Sequence, residues 1–518
     1  MTNRQTAAPA TLIGELCHQE SRDHKTIAYG GGALLLASAF GNGLNYAFGI
    51  FLARTLGAEE FGLYALALTI FNILTLVVVF GMDTGAIKFI SHHLIEEQHA
   101  KARQTLVAAA SIAFGSGLVA AVGLGLLAPP LAMTVYGKPE MILSLLFFAA
   151  AIPLAALTTV LISALQAFQT VRYTIHIKYL WEPIAKFVFA AVLLWAGLQL
   201  LGVLISIVLT LVISAALAIR AVHRLVFSGS DSLLVRNTHE ARTLLTYCLP
   251  LAVSNLFGVV APRSDILILG YWANTQEVGI YLAAIQTAAI MSLVQGAFDT
   301  GLAPIISRAW SQQDRARMRD SYQTVSRLCI MVSLPIFCGL ILFANDILKV
   351  FGPKFLNGTI ALMILAVGQV ISNATGSANT ILLMSGHSRL VMTNTVVMGV
   401  ALLATTAFLI PFWGMTGAAI AAASTFILTN LIRVIQVWRL HHVQPYTWGL
   451  AKPIAAAATA TGIVLMLHNS AVMLPSPVLG LALGMLYLSG LLLLGINQQD
   501  RLVLQSLLSR FRSFFGER

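Results

Sequence analysis

Charge is scarce in this chain. Asp, Glu, Lys and Arg together make up 10 % of its 518 residues, where a soluble domain carries roughly 25 %. A water-facing globular surface cannot be built from so few ions, so a soluble enzyme is excluded. Cysteine is also sparse. Cys17, Cys248, Cys329 and Cys338 are scattered, with no metal-ligand spacing and no disulfide frame. The first 26 residues are polar and hold no apolar h-region, so no cleaved signal peptide is read. Segments between apolar stretches reach only about 20 residues. There is no Walker loop, no HExxH, no Gly-x-Ser-x-Gly and no loop with paired carboxylates. A membrane glycosyltransferase, ligase or polymerase needs such a loop or domain for its acid and base. The chain therefore reads as a transporter and not as an enzyme.

What fills the sequence is apolar. Hydrophobic residues are 58 % of the total, and one helical crossing needs roughly 20 of them in succession. Fourteen such stretches are read: 27–53, 61–87, 104–136, 141–170, 180–199, 201–222, 245–272, 279–305, 325–345, 358–385, 389–412, 415–438, 449–468 and 476–496. Pro129-Pro130 should end or kink the third. An even number places both termini on one side. If that side is the cytoplasm, 25 of the 31 Lys and Arg are inner, and only Arg54, Lys138, Lys349 and Lys354 are outer. Lys186 and Arg263 lie within spans. This asymmetry satisfies the positive-inside rule. It predicts a multi-pass protein of the inner (cytoplasmic) membrane with both termini cytoplasmic. The net charge of +11 then reflects orientation and contact with anionic membrane lipid, not nucleic-acid binding.

The chain also repeats itself. Gly62-Leu63-Tyr64 returns as Gly279-Ile280-Tyr281, Asp83-Thr84-Gly85 as Asp299-Thr300-Gly301, and Ile90-Ser91 as Ile306-Ser307. The offset carries span 1 onto 7, 2 onto 8 and 4 onto 10. Each repeat is six spans, so the two enter the membrane in the same sense and should be related by a pseudo-two-fold axis along its normal. The predicted organisation is a cytoplasmic tail (1–26), an N-lobe (27–225), a cytoplasmic linker (226–243), a C-lobe (244–440), an extra helix pair (448–496) and an amphipathic cytoplasmic tail (499–518). The fold class is all-α and integral to the membrane.

Polar residues inside spans mark candidate sites, because lipid does not tolerate them unpartnered. Thr159, Ser163, Gln166 and Thr170 form a stripe in span 4. Gln369, Asn373 and Asn379 or Thr380 form its counterpart in span 10. Interhelical hydrogen bonding is the alternative reading of both stripes. Asn42 and Asn45 sit among glycines in span 1. Asn255, Pro262, Arg263 and Asp265 sit in span 7, where Pro262 should bend the helix. Arg263 is the first candidate for holding an anionic substrate, with a structural ion pair as the alternative. Glu182 and Lys186, four apart, read as a bridge, with Lys186 also a cavity candidate. Asp83, Asp299 and Arg54 are candidates for gating or coupling, the two aspartates with a structural alternative.

Leu52-Ala53-Arg54-Thr55-Leu56-Gly57, Phe61-Gly62-Leu63-Tyr64 and Gly81-Met82-Asp83 resemble the opening of the polysaccharide-type flippases, among them the O-antigen and exopolysaccharide repeat-unit flippases. Asp265–Gly270, Val278–Tyr281 and Pro304–Arg308 resemble their seventh and eighth spans. The resemblance runs over about 27–440. It implies membership of the superfamily that includes multidrug antiporters and lipid II flippases. It also implies two six-helix lobes in a V around a central cavity, with alternating access. The implied substrate is an undecaprenyl-pyrophosphate-linked oligosaccharide, whose diphosphate would meet Arg263 and Lys186. The implied partners are a polysaccharide polymerase and export machinery, and a monomer suffices. No cofactor is implied, and H⁺ or Na⁺ coupling stays open. The alternatives are a cation-coupled drug or metabolite antiporter and a lipid II flippase.

Overall fold

The computed structural model describes residues 9–168, 171–227, 242–249, 258, 260–468 and 475–495. Asn255, Thr170, most of the expected linker and the expected amphipathic tail 499–518 lie outside the described residues. Every regular element described is helical. Among the described residues, ten helices are long and apolar enough to cross a membrane.

Helix α1, Pro9–Val79, is far longer than one crossing, and its helical geometry breaks at Gly57 (φ 78°, ψ 175°). A side chain there would collide with its own backbone, so glycine is the residue that lets the chain change direction within one position. The same device recurs in α16, Ser388–His441, at Gly414 (φ 52°, ψ −133°). The connections read from the sequence between spans 1 and 2, and between 11 and 12, are thus single-residue breaks.

Between them run α2 (Met82–Ile95), α3 (His99–Pro130), α4 (Met141–Ala167), α5 (Val171–Thr174), α6 (Glu182–Trp195), α7 (Gln199–Val222) and α8 (242–249). Then follow α9 (Ser264–Trp272), α10 (Thr275–Ala288), α11 (Ile290–Ser311), α12 (Arg315–Leu342), α13 (Ala344–Lys349), α14 (Thr359–Ala374) and α15 (Ala378–Met384). Helices α17 (Ala451–His468) and α18 (Ser476–Leu494) close the described chain. Helix α3 stops at Pro130 and continues as a π-helical turn, Leu131–Val135.

Two expected spans are interrupted. Span 2 breaks at Phe80 and Gly81, both with positive φ. Span 10 breaks between α14 and α15, around Gly376 (φ 65°). The carbonyl of Thr375 freed by that break accepts a hydrogen bond from the buried Tyr322 hydroxyl at 2.8 Å. The polar stripe of span 10 therefore does not run along one helix: Asn379 and Thr380 belong to a second one.

The chain forms two compact units. The first holds residues 1–48, 78–123 and 149–249. In it α2 lies so close to α8 that a Cβ on Gly85 would sit 2.4 Å from Cys248 Sγ. The Cys248 thiol donates to the Gly81 carbonyl at 3.4 Å. Helix α3 meets α4 where Gly117 faces the Pro153 backbone.

The second unit holds residues 49–77, 124–148 and 250–518. One apolar cluster joins α11, α12, α15 and α16 through Leu302, Tyr322, Ile381 and Val437. Another docks α17 and α18 on α12 through Leu479, Leu483 and Tyr487, and the Tyr487 hydroxyl donates to the Met331 carbonyl at 2.7 Å.

The repeated glycines meet each other in this unit. A Cβ on Gly62 would lie 1.8 Å from the Thr275 carbonyl oxygen, and one on Gly279 would lie 2.2 Å from that of Ala58. Under the repeat offset of 217, Gly62 corresponds to Gly279 and Ala58 to Thr275. The contact is therefore reciprocal, backbone against backbone. Phe61 and Phe355, with ring centroids 6.1 Å apart, pack in the same unit.

Candidate functional site

In the first unit, Lys186 of α6 reaches Asn45 of α1. Its ammonium donates to Asn45 Oδ1 at 2.7 Å and stands 4.6 Å from the centre of the Phe48 ring. A ring face is an electron-rich partner for a cation that keeps it available on its other sides. Asn42 and Asn45 are exposed from this unit. The bridge expected between Glu182 and Lys186 does not form as a contact pair. Glu182 feels the charges of both Lys178 and Lys186 and is approached by Ser214. Four-residue spacing brought the two together in register, but Asn45 captured the ammonium. Gln166 donates to Thr174 Oγ1 at 3.1 Å, which ties the end of α4 to α5. Asp83 is half-buried, and its Oδ1 has no hydrogen-bond partner among the described residues.

In the second unit, the turn that Pro262 was expected to cause is a 3-10 segment, Ala261–Arg263, directly before α9. Arg263 follows the proline and is half-buried. No described residue forms a hydrogen bond or ion pair with its guanidinium, and its desolvation comes from burial alone. Asp265, two positions on, faces elsewhere. It is 3 % exposed. Its Oδ1 accepts from the Ile266 backbone N–H at 2.7 Å, and its Oδ2 accepts from the Tyr281 hydroxyl at 2.8 Å. Both oxygens are thus engaged, Oδ1 within α9 and Oδ2 in tying α9 to α10, and Tyr281 is the tyrosine of the second Gly-x-Tyr motif. Asn373 is also fully buried, and its amide donates to Ser333 Oγ at 2.7 Å and to the Met291 carbonyl at 3.0 Å. Of the expected cavity residues in this unit, Arg263 and the half-buried Gln369 are the ones left accessible.

Asp299 lies on α11 beside the broken span. The hydroxyls of Ser377 and Thr380 approach it, and the charge of Arg433 acts on it. Its Oδ1 has no hydrogen-bond partner among the described residues. Arg433 escaped the sequence reading, which counted it with the inner-face cations because it falls near the end of span 12. It is half-buried instead and lines a cavity of about 160 Å³ with Gly258, Pro262, Thr395, Thr429 and Asn430.

Two of the four cations expected on the outer side hold carbonyls elsewhere in the fold. Arg54 Nε donates to the Val350 carbonyl. Lys138 Nζ donates to the carbonyls of Gly270 and Ala273, the latter at 3.0 Å. These are carbonyls at the C-terminus of α9, where the helix dipole favours a cation. Together with the glycine seam they fasten residues 54–62 and Lys138 to residues 270–279 and Val350.

Comparison with known proteins fixes the family. A family model described as polysaccharide biosynthesis protein matches residues 51–358. The chain belongs to this family. The resemblance carried by its sequence motifs holds, and the chain is a member of the flippase superfamily that those motifs indicated. A probable low-salt glycan biosynthesis flippase, Agl15 of Haloferax volcanii, is 23 % identical over 407 residues, which is 77 % of this chain and 81 % of that protein. A probable flippase of the same organism, AglR, is 24 % identical over 253 residues, 47 % of this chain and 52 % of that protein. In fold, the chain is similar to an inward closed structure of the lipid II flippase MurJ (TM-score 0.72, 13 % identity, 88 % of this chain and 97 % of that one). It is also similar to an inward-facing multidrug transporter of the MATE family (TM-score 0.65, 14 % identity, 80 % and 95 %).

Proposed function

We propose that this protein is a flippase that carries a lipid-linked oligosaccharide from the inner to the outer leaflet of the cytoplasmic membrane for polysaccharide synthesis. The carrier is an undecaprenyl diphosphate, and the cycle is alternating access of two six-span lobes, 27–225 and 244–440, in a fourteen-span chain with both termini inside. Arg263 carries this reading. An arginine held within an apolar span, half-buried and joined to no described residue, is costly unless a ligand supplies the anion. A diphosphate matches its planar fork. Lys186, held on Asn45 and Phe48 with donors to spare, is the corresponding cation of the N-lobe. The reciprocal contact of Gly62 with Thr275 and of Gly279 with Ala58 supports the two-fold relation of the repeats. Agl15 and AglR, both named as probable flippases, support the reaction class.

The test is lipid analysis of a deletion strain. Lipid-linked oligosaccharide should be stranded on the inner leaflet and surface polysaccharide lost. The wild-type gene should restore both, Arg263→Lys in part and Arg263→Ala not at all, with equal amounts of each variant in the membrane. An unchanged lipid-linked pool with altered resistance to cationic drugs would replace this reading with a drug antiporter.

A further inference from the structure

Arg433 is the least explained charge in the second unit. Its Nε is buried without a hydrogen-bond partner among the described residues. The charge that acts on it is that of Asp299, yet the two make no ion pair at contact distance. Nor is the site closed. The guanidinium lines a cavity of about 160 Å³, walled by Gly258, Ala261 and Pro262 on one side and by Thr395, Thr429 and Asn430 on others. Pro262 is the residue before Arg263, so the turn that presents Arg263 also forms a wall of the cavity that holds Arg433. The remaining wall is apolar, with Met398, Leu402 and Phe426.

We infer that Arg433 is a second anion contact of the C-lobe, and that this cavity takes a phosphate group of the lipid carrier while Arg263 holds its neighbour. The inference rests on the flippase reading and names a further contact of the same site. The chemistry is that of an oxyanion. A guanidinium with an unfilled N–H in a site of low polarity gains most from a charged acceptor. The neighbouring polar groups already donate elsewhere, Thr395 and Thr429 to the carbonyls of Val391 and Thr425 and the Asn430 amide to Ser372 Oγ and the Phe426 carbonyl, so Arg433 is the donor left for the ligand. The apolar wall suits the first methylenes of a prenyl chain. Asp299, close enough to act on Arg433 but not to bind it, competes with the ligand for its charge.

The experiment uses the full chain purified in detergent and titrated with geranylgeranyl diphosphate as the probe, followed by intrinsic tryptophan fluorescence. Wild-type protein should bind it. Arg433→Gln should weaken binding about tenfold or more and leave the ligand-free melting temperature unchanged, and Arg433→Lys should fall between. Asp299→Asn should bind as tightly as wild type or tighter, because it removes the competitor. Free inorganic diphosphate should compete weakly if the prenyl chain contributes. If it competes as well as the lipid does, the apolar wall plays no part and the carrier assignment fails. Unchanged binding by Arg433→Gln overturns the inference. So does an equal loss of stability in Arg433→Gln and Asp299→Asn, which would mark a structural ion pair. Loss of binding in Arg263→Ala with none in Arg433→Gln would sink this inference alone. A wild-type protein that ignores the probe would sink the diphosphate reading as well.

Discussion

The glycine seam can be broken with one methyl group. Gly62→Ala puts a Cβ 1.8 Å from the Thr275 carbonyl oxygen and 2.7 Å from its carbon. Ordinary contact for a Cβ starts near 3.4 Å, so α10 and its neighbours must move apart by more than an ångström. The obstacle is backbone, which has no rotamer to yield. Overpacking of this kind costs roughly 1–3 kcal/mol. Under the proposed alternating access, that cost falls on the state in which this seam is closed, because the nearest atoms to the added Cβ, those of Thr275 and the Gly279 nitrogen at 3.1 Å, all belong to the seam. It is enough to shift a two-state equilibrium by roughly 5- to 150-fold toward the opened seam. Thr275 is 8 % exposed, so a cysteine at that position reports the shift. Labelling of Thr275→Cys by an impermeant maleimide on intact cells should rise sharply in the Gly62→Ala background, with the native cysteines measured in parallel. Gly115→Ala is the control, since nothing lies within 4 Å of the Cβ it adds. It should change neither labelling nor stability beyond the small helix preference of alanine. Equal labelling with and without Gly62→Ala would refute the packing argument. So would a Gly62→Ala protein that melts and labels like the control.

Other perturbations have equally definite outcomes. Lys138→Ala removes a charged donor from two carbonyls of α9. It should loosen the same seam, raising Thr275→Cys labelling by about tenfold, as one charge-assisted hydrogen bond of roughly 1.5 kcal/mol implies. Tyr281→Phe strands a buried Asp265 oxygen. It should cost about 1–3 kcal/mol of stability, seen as a lower melting temperature, while Arg263→Ala leaves that temperature nearly unchanged. Asn45→Asp places a carboxylate on Lys186. Because Asn45 is exposed, the new pair should alter stability by no more than about 1 kcal/mol, yet abolish transport by neutralising the cation; normal transport would remove Lys186 from the site. Asn373→Ala should destabilise the protein by cutting its ties to Ser333 and Met291, without a separate loss of probe affinity.

The all-helical membrane character was legible because bilayer thickness imposes a length and lipid imposes a composition, and the family was legible from its motifs. The breaks at Gly57 and Gly414 fall in the gaps left between apolar stretches, but that a single glycine makes each was not legible, because the helix runs on to both sides of it. The break in span 10 was not legible either. It has no proline, and what holds it open is the Tyr322 hydroxyl on the Thr375 carbonyl, a partner 53 residues away. Asp265 was read as a cavity residue because a carboxylate in a span demands a partner. Sequence gives the demand but not the direction in which Tyr281 meets it. Arg433 was hidden by its position. Near a span end, a basic residue is normally a surface charge, and only packing shows that this one turns inward. Arg263 stood out from both views, since the proline before it announces the turn and the apolar run around it announces the cost.

The reciprocity of the glycine seam also bears on ancestry. Two identical subunits that pair across a dyad place residue i of one on residue j of the other, and j on i. Gly62 on Thr275 and Gly279 on Ala58 are that pattern within a single chain. A half-length unit that carried this patch would have met its own copy by the same reciprocal contact. Fusion of two such genes would free most of each half to diverge, as the unlike partners of Tyr64 and Tyr281 show, with Phe61 and Phe148 around one and Asp265 on the other. The seam itself could not follow: a side chain added on either half closes the space that both must share.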